Sequence, residues 1–323
     1  MVIATEQYII IEFFDSNQGN RFLYHNITPR PWTGFFIKRN KTMKIGIIGV
    51  GLIGGSIALK LRKKGIADVI YGIDNNSDNL SEALTLQIID EKADLEHGIR
   101  HSDVIIIAVP VDAARKILPE VLDLISDSQT VIDAGSTKAG IVNAVKNHPK
   151  RSRFVAFHPM WGTENSGPKA AVAESFSGKA GVICNSEESA KDALQVAEKM
   201  IENLDMHLMY MNAEDHDMHT AYISHISHIT SYALANTVLK KEREEDTIFQ
   251  LASSGFSSTV RLAKSHPEMW VPIFKQNKNN VLDVLNEHIY QLQKFKSALE
   301  EDNDEYLGEL IKNANRIRRI LEK

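Results

Sequence analysis

From residue 43 onward, short apolar runs alternate with amphipathic stretches. The runs at 44–49, 69–73, 103–109, 129–134, 153–157, 180–184 and 206–211 have strand length, and helical patterns at 53–64, 112–125, 137–147 and 187–203 separate most of them. Such alternation predicts an α/β fold built on a parallel, doubly wound sheet. The run Asp103 to Val109 is apolar on both faces, as a central parallel strand must be, and Pro110 ends it. Its carboxyl end, with that of the 129–134 strand, is expected to border the crevice where the strand order reverses, which is where open α/β sheets bind ligands. After Asn212 the strand signals stop. Residues 213–240 read as one long helix that is apolar nearly all round, so it must be buried, in part by a second subunit. Two further helices are expected at 277–299 and 304–321, the first with a stripe of Val281, Leu285, Ile289, Leu292 and Phe295. The expected organisation is a sheet domain over 43–212 and an all-helical dimerisation domain over 213–323.

The first strand runs into Gly49-Val50-Gly51-Leu52-Ile53-Gly54-Gly55-Ser56, a G-x-G-x-x-G turn opening a helix. Gly49 permits the tight turn, Gly51 lets a pyrophosphate approach the backbone, and Gly54 lets helix and strand pack closely. Free N–H groups and the helix dipole favour the anion. The next strand ends at Asp74, twenty residues beyond Gly54. A carboxylate there accepts hydrogen bonds from both adenine-ribose hydroxyls and repels a 2′-phosphate. With Asn75 and Asn76 following instead of arginine, the reading is NAD and not NADP. The expected cofactor contacts are Gly49, Gly51, Leu52, Ile53, Gly54, Asp74, Val109 and Pro110.

Composition narrows the class. A chain of 323 residues accommodates two domains, and 24% charged residues with a formal net charge of −5 give no broad basic surface for nucleic acid. No apolar run approaches the roughly 20 residues of a membrane helix, so a cytoplasmic setting is expected. The single cysteine, Cys184, excludes an intramolecular disulfide and reads as a packed thiol. Residues 1–42 carry a charge of +2 (five Lys/Arg minus three Asp/Glu) and lack the pattern of a signal peptide. Apolar stretches at Tyr8–Ile11 and Phe13–Phe14 suit strands, but Pro29 and Pro31 break any longer pattern. This segment reads as an extension, either a disordered arm or sequence upstream of a native start at Met43.

Several polar residues stand where chemistry is expected. His158 follows the strand from Arg153, and Pro159 holds it in extended geometry at the strand's carboxyl end. A histidine there suits proton removal from a substrate hydroxyl, although a structural loop histidine reads equally well from local sequence. Ser136 sits just past the 129–134 strand and reads as a helix N-cap that also reaches the crevice. Lys138 reads as decoration of the first helical turn. The long helix carries His216, His219, His225 and His228. His216 and His225, nine residues apart, fall on opposite faces of a regular helix, which opposes a metal site; only His225 and His228 share a face. Arg261, after a serine-rich loop, suits bidentate carboxylate recognition, but taken by itself it reads more readily as a solvated or salt-bridged arginine. Trp270 reads as core or as a site wall.

Taken together and in order, the glycine turn, Asp133-Ala134-Gly135-Ser136-Thr137-Lys138, His158-Pro159-Met160 with Gly162-Thr163-Glu164, Ser224-His225-Ile226-Ser227-His228, and Gly255-Phe256 leading to Arg261 and Trp270 resemble the prephenate/arogenate dehydrogenase family. The resemblance extends from Met43 nearly to the end of the chain. It implies a Rossmann-type domain followed by a helical dimerisation domain, NAD as cofactor, no metal, and a homodimer. It also implies roles: His158 as the base, Ser136 at the substrate hydroxyl and nicotinamide, Arg261 on a carboxylate, His228 and His225 at the side chain or in support, and Trp270 supplied by the partner subunit. Trp161 departs from the smaller residue of many members, which bears on pocket shape. The resemblance covers both prephenate and arogenate, which differ by a keto or amino group. Rival readings are a 3-hydroxyacid dehydrogenase or imine reductase on the same architecture, the hydroxyacid enzymes needing a catalytic lysine on the helical domain, and a non-catalytic NAD sensor, which has no need of His158, Ser136 and Arg261 together.

Overall fold

Ile45, Ile47 and Ile106 point to one face of a sheet and Ile48, Ile105 and Ile107 to the other, and all six are almost fully buried. Period-two alternation with both faces apolar demands cover on both sides, and the computed structural model shows helices on each. It describes residues 42–242 and 248–321 and, before them, the backbone of four short strands. Those strands belong to a separate unit, Met1–Asn40. In it Val2–Thr5 (β1) pairs antiparallel with Tyr8–Ile11 (β2), and Phe13–Phe14 (β3) with Arg21–Phe22 (β4). The remaining calls on that extension lie outside the described residues.

The unit from Lys41 onward is built on eight strands: Met43–Ile48 (β5), Ala67–Ile73 (β6), Glu91–Lys92 (β7), Val104–Ile107 (β8), Thr130–Asp133 (β9), Phe154–Pro159 (β10), Ala180–Cys184 (β11) and His207–Met211 (β12). Their spatial order is β12-β11-β10-β9-β8-β5-β6-β7. The chain moves outward from β5 to β7 and then returns to β8, so the order reverses between β5 and β8. Helices Leu52–Lys63 (α1) and Lys191–Asn203 (α6) cover one face. Leu95–Arg100 (α3), Val111–Leu124 (α4) and Ala139–Ala144 (α5) cover the other. Ser77–Thr85 (α2) follows the Asp74 turn, capped by Asn76. Each fully buried isoleucine contributes roughly 1.5–3 kcal/mol to this packing. Cys184 is among the packed side chains, and burial pushes its thiol up to about 12.

The sheet departs from the expected parallel arrangement at one edge. β11 runs antiparallel to β10, and β12 follows it. Residues 160–179 hold only one short 3-10 turn, Pro168–Ala170, and no crossover helix. Without a crossover helix a parallel return is not available.

The expected single helix over 213–240 is also interrupted. Ala213–Thr220 (α7) and Ile226–Glu242 (α8) flank a π-helical segment, Ala221–His225. Ser254–Thr259 (α9), Pro267–Gln276 (α10), Lys278–Glu300 (α11), Asp304–Ala314 (α12) and Arg318–Leu321 (α13) complete the helical part. The stripe on α11 divides: Val281 is buried, whereas Ile289 and Leu292 are exposed.

Candidate active site

The cofactor half of the site is made by backbone. Gly49 adopts φ +94°, and a Cβ there would meet the Ala108 carbonyl at 2.5 Å. A Cβ on Gly54 would lie 2.1 Å from the Gly49 carbonyl oxygen, so the helix packs on the turn only as glycine. Gly51 differs: φ is −74°, and a Cβ would meet nothing within 4 Å. Two glycines therefore serve the fold, and the third faces open space, the cradle a pyrophosphate requires. Asp74 ends β6; its Oδ2 accepts the Val50 N–H at 3.2 Å and its Oδ1 accepts the Asn76 N–H at 2.9 Å. The acid is thereby fixed beside the glycine turn and stays partly exposed. Leu52 and Ile53 open α1, while Val109 and Pro110 follow β8 across the reversal point. The glycine turn, Asp74 and the β8 exit lie at the carboxyl ends of neighbouring strands, an arrangement that suits a dinucleotide.

The chemical half centres on His158, in the last turn of strand before Pro159. Its Nδ1 lies 2.8 Å from His216 Nε2, and His216 Nδ1 lies 2.9 Å from Asp217 Oδ1. Burial lowers the pKa of both histidines, that of His158 well below the ordinary imidazole value, with the charges of His216, Lys138 and His225 adding to the effect on His158. Both rings are therefore neutral at neutral pH. An ionised carboxylate only accepts, so His216 carries its proton on Nδ1 and accepts on Nε2. His158 must then hold its proton on Nδ1, which leaves the Nε2 lone pair free as a base.

Asp217 does more than orient His216. Its Oδ1 accepts the Lys138 N–H at 2.7 Å and its Oδ2 the Ala139 N–H at 2.9 Å, so it caps α5 from 79 residues away. This corrects the expectation for Ser136: α5 begins at Ala139, and Ser136 is not its cap. Among the described residues the Ser136 hydroxyl has no hydrogen-bond partner, and the hydroxyl sits on the β9 exit beside β10, which is adjacent in the sheet. Lys138 is not surface decoration. Its ammonium is fully buried and donates to Asp133 Oδ2 at 2.5 Å and to the Phe157 carbonyl at 2.6 Å, tying β9 to the residue before His158.

The π segment explains why the histidines come together. Nine residues of regular helix turn His216 and His225 about 180° apart. One π turn absorbs an extra residue, so the spacing acts as about eight and the two lie roughly 80° apart. Both are 1% exposed. His225 Nδ1 accepts from Asn277 Nδ2 at 3.2 Å and its ring stands edge-on to Trp270, with burial lowering its pKa to about 4. His225 is thus packed between Asn277 and Trp270 behind the crevice. His228 donates Nδ1–H to the Ser224 carbonyl and stacks on Trp270 with ring centroids 3.4 Å apart; burial lowers it to about 4. Trp270 lies beside the histidines of its own chain, where α10 packs on α4 through Val111 and Ile273. Its indole Nε1–H is buried without a partner among the described residues. Arg261 lies in a 3-10 turn, half exposed, and its Nη1 donates to Glu164 Oε2 at 2.9 Å. Trp161 packs edge-on against buried Phe176, so it anchors the 160–179 loop to the core beneath α1.

With this geometry in hand, two family models match end to end. The nucleotide-binding domain of prephenate dehydrogenase matches residues 57–210, and the dimerization domain of prephenate dehydrogenase matches 212–313. The prephenate dehydrogenase of Bacillus subtilis is 32% identical over 271 residues, 83% of this chain and 73% of that one. The chain belongs to the prephenate dehydrogenase family. The structure resembles that of Aquifex aeolicus prephenate dehydrogenase in complex with hydroxyphenyl propionate and NAD+ (TM-score 0.80, 31% identity, 88% of this chain and 99% of that one). It also resembles Synechocystis arogenate dehydrogenase (TM-score 0.68, 26% identity, 86% and 99%). Within this frame, sequence reasoning missed Asp217 and Asn277. Asn277 donates to the Asp217 carbonyl at 2.6 Å as well as to His225. No local pattern marks either: Asp217, besides bonding the adjacent His216, caps α5 from 79 residues away, and Asn277 reaches back 60 and 52 positions.

Proposed function

We propose that this chain is an NAD-dependent prephenate dehydrogenase of tyrosine biosynthesis, converting prephenate to 4-hydroxyphenylpyruvate with loss of carbon dioxide. The substrate is a cyclohexadienol bearing a ring carboxylate. NAD, when bound along the glycine turn, supplies the hydride acceptor. His158 Nε2 takes the proton of the ring hydroxyl as the C–H bond breaks. Ser136 holds that hydroxyl with its own unengaged O–H. Arg261 binds a carboxylate, and His228 and Trp270 help hold the side chain. Decarboxylation then restores aromaticity and makes the reaction effectively irreversible. Orientation and one base suffice, and no residue here is needed as a metal ligand.

The observation that carries this reading is the free Nε2 of His158, fixed by His216 and Asp217 at the carboxyl end of β10. The family assignment and the resemblance to an NAD+ complex support the cofactor. Dimerisation is supported by the second family model and by the exposed apolar residues Ile289, Leu292 and Leu299 on α11. Among the described residues no helix is long and apolar enough to cross a membrane, which suits a cytoplasmic enzyme. The test is NADH formation by purified protein with NAD and prephenate, with arogenate in parallel. Turnover of prephenate supports the reading, and turnover of arogenate alone moves the specificity. Inactivity with both, in protein that binds NAD, returns the function to the hydroxyacid-type alternatives.

A further inference from the structure

His216 and Asp217 are almost fully buried, at 1% and 3% exposure, and hydrogen-bonded in series behind His158. Burying a histidine and a carboxylate is costly unless the arrangement satisfies them, and here nearly every polar atom has a partner. Asp217 receives His216 Nδ1–H, two backbone N–H groups at the start of α5, and, on its own carbonyl, Asn277 Nδ2–H and Thr220 Oγ1–H. Its carboxylate cannot rotate without releasing the α5 terminus. The chain of bonds runs in one sense only, from carboxylate to His216 Nδ1–H, from His216 Nε2 to His158 Nδ1–H, and so to a bare His158 Nε2.

We propose that His216 and Asp217 are positioning residues for the reaction: they hold His158 in the single tautomer that presents Nε2 as base, and they place the Ser136 turn with the same carboxylate. The proposal rests on His158 being the base. In the proton-transfer step the substrate O–H bond breaks and an N–H bond forms at His158 Nε2. Nδ1 keeps its own proton and its bond to His216, so no second proton moves. The positive charge that develops on His158 lies one ring away from Asp217, while the opposing charge of Lys138 is offset by Asp133, to which it is bonded. An unconstrained neutral imidazole exchanges between tautomers, and the wrong one offers an N–H where a lone pair is needed.

The test separates orientation from folding and from the base itself. Removing Asp217 also uncaps α5, so the informative variant is His216→Leu, which leaves the cap intact. Its kcat is expected to fall on the order of 10²-fold, with KM and NAD affinity retained. His216→Gln, whose side-chain carbonyl accepts the same Nδ1–H, is expected to recover most of that loss. Nitrogen NMR of the histidine rings should show His158 with bare Nε2 in the native protein and in His216→Gln, and mixed tautomers in His216→Leu. Native kcat in His216→Leu overturns the proposal, as does an equal loss in both variants with the tautomer unchanged. His158→Asn serves as the control. If it is inactive while His216→Leu is fully active, the base stands and the positioning role falls. If both are fully active, the base reading falls and the proposal with it.

Discussion

The glycine turn and the interrupted helix at 213–242 are the two halves of one crevice, and they are built on opposite principles. In the turn, function is a property of the backbone: Gly49 and Gly54 are dictated by carbonyl oxygens that would lie only 2.1–2.5 Å from an added Cβ, and Gly51 by what it leaves open. In the helix, function is a property of side-chain phase: a π turn rotates His225 and His228 onto the side that His216 occupies. A site made by backbone geometry survives most changes elsewhere, whereas one made by phase depends on every residue between its members.

The largest expected effect lies at the base, His158, which the interrupted helix holds through His216. His158→Asn should lower kcat by on the order of 10²–10⁴ with NAD binding retained, measured by steady-state kinetics beside a direct binding titration. Undiminished kcat removes His158 as the base. Arg261→Ala comes next. Losing a charge-assisted bond costs roughly 1.5–3 kcal/mol, so KM for the substrate should rise about 10- to 150-fold with kcat little changed. A KM that stays put means Arg261 serves only Glu164.

Smaller effects are expected from the backbone-built half, where they separate fold from ligand. Gly51→Ala should leave thermal unfolding unchanged, because its φ is negative and the added methyl meets no protein atom, while weakening NAD binding by about tenfold, or roughly 1.4 kcal/mol. Gly54→Ala should instead lower the melting temperature, because its Cβ falls on the Gly49 carbonyl. If the two variants behave alike, the division between them is wrong. The mildest expectation concerns pH. The base form of His158 is the neutral one, and burial lowers its pKa well below the ordinary value of 6.5. The base therefore stays competent as pH falls through 6.5, and the acidic limb of kcat/KM should lie below that value. A limb at or above 6.5 would show that the burial is relieved in the working enzyme.

The same contrast explains what was legible in the sequence. The seven principal strands, the glycine turn and Asp74 all follow from local pattern, because period-two alternation and glycine spacing report directly on backbone. The antiparallel edge was not legible, since nothing in β11 itself records that residues 160–179 lack a crossover helix. Ser136 looked like a cap because caps are ordinarily local; the actual cap, Asp217, comes from another element. The histidines were placed on opposite faces because regular helix geometry was assumed, and a single inserted residue defeats that assumption. Lys138 looked like surface decoration and is a buried cation bonded to Asp133. Side-chain constellations across elements leave no periodic trace, so only an ordered set of motifs pointed to them.

The central claim is that the π segment assembles the chemical half of the site independently of the cofactor half. Inserting one alanine after Ile223, which is 66% exposed and lies within that segment, adds a residue that the single π turn does not absorb and rotates His225 and His228 about 100° away from His216. The direct measurement is kcat/KM for prephenate together with NAD affinity in that insertion variant. The account predicts a fall in kcat/KM on the order of 10²-fold with NAD affinity unchanged. Native kcat/KM in a folded insertion variant would contradict it.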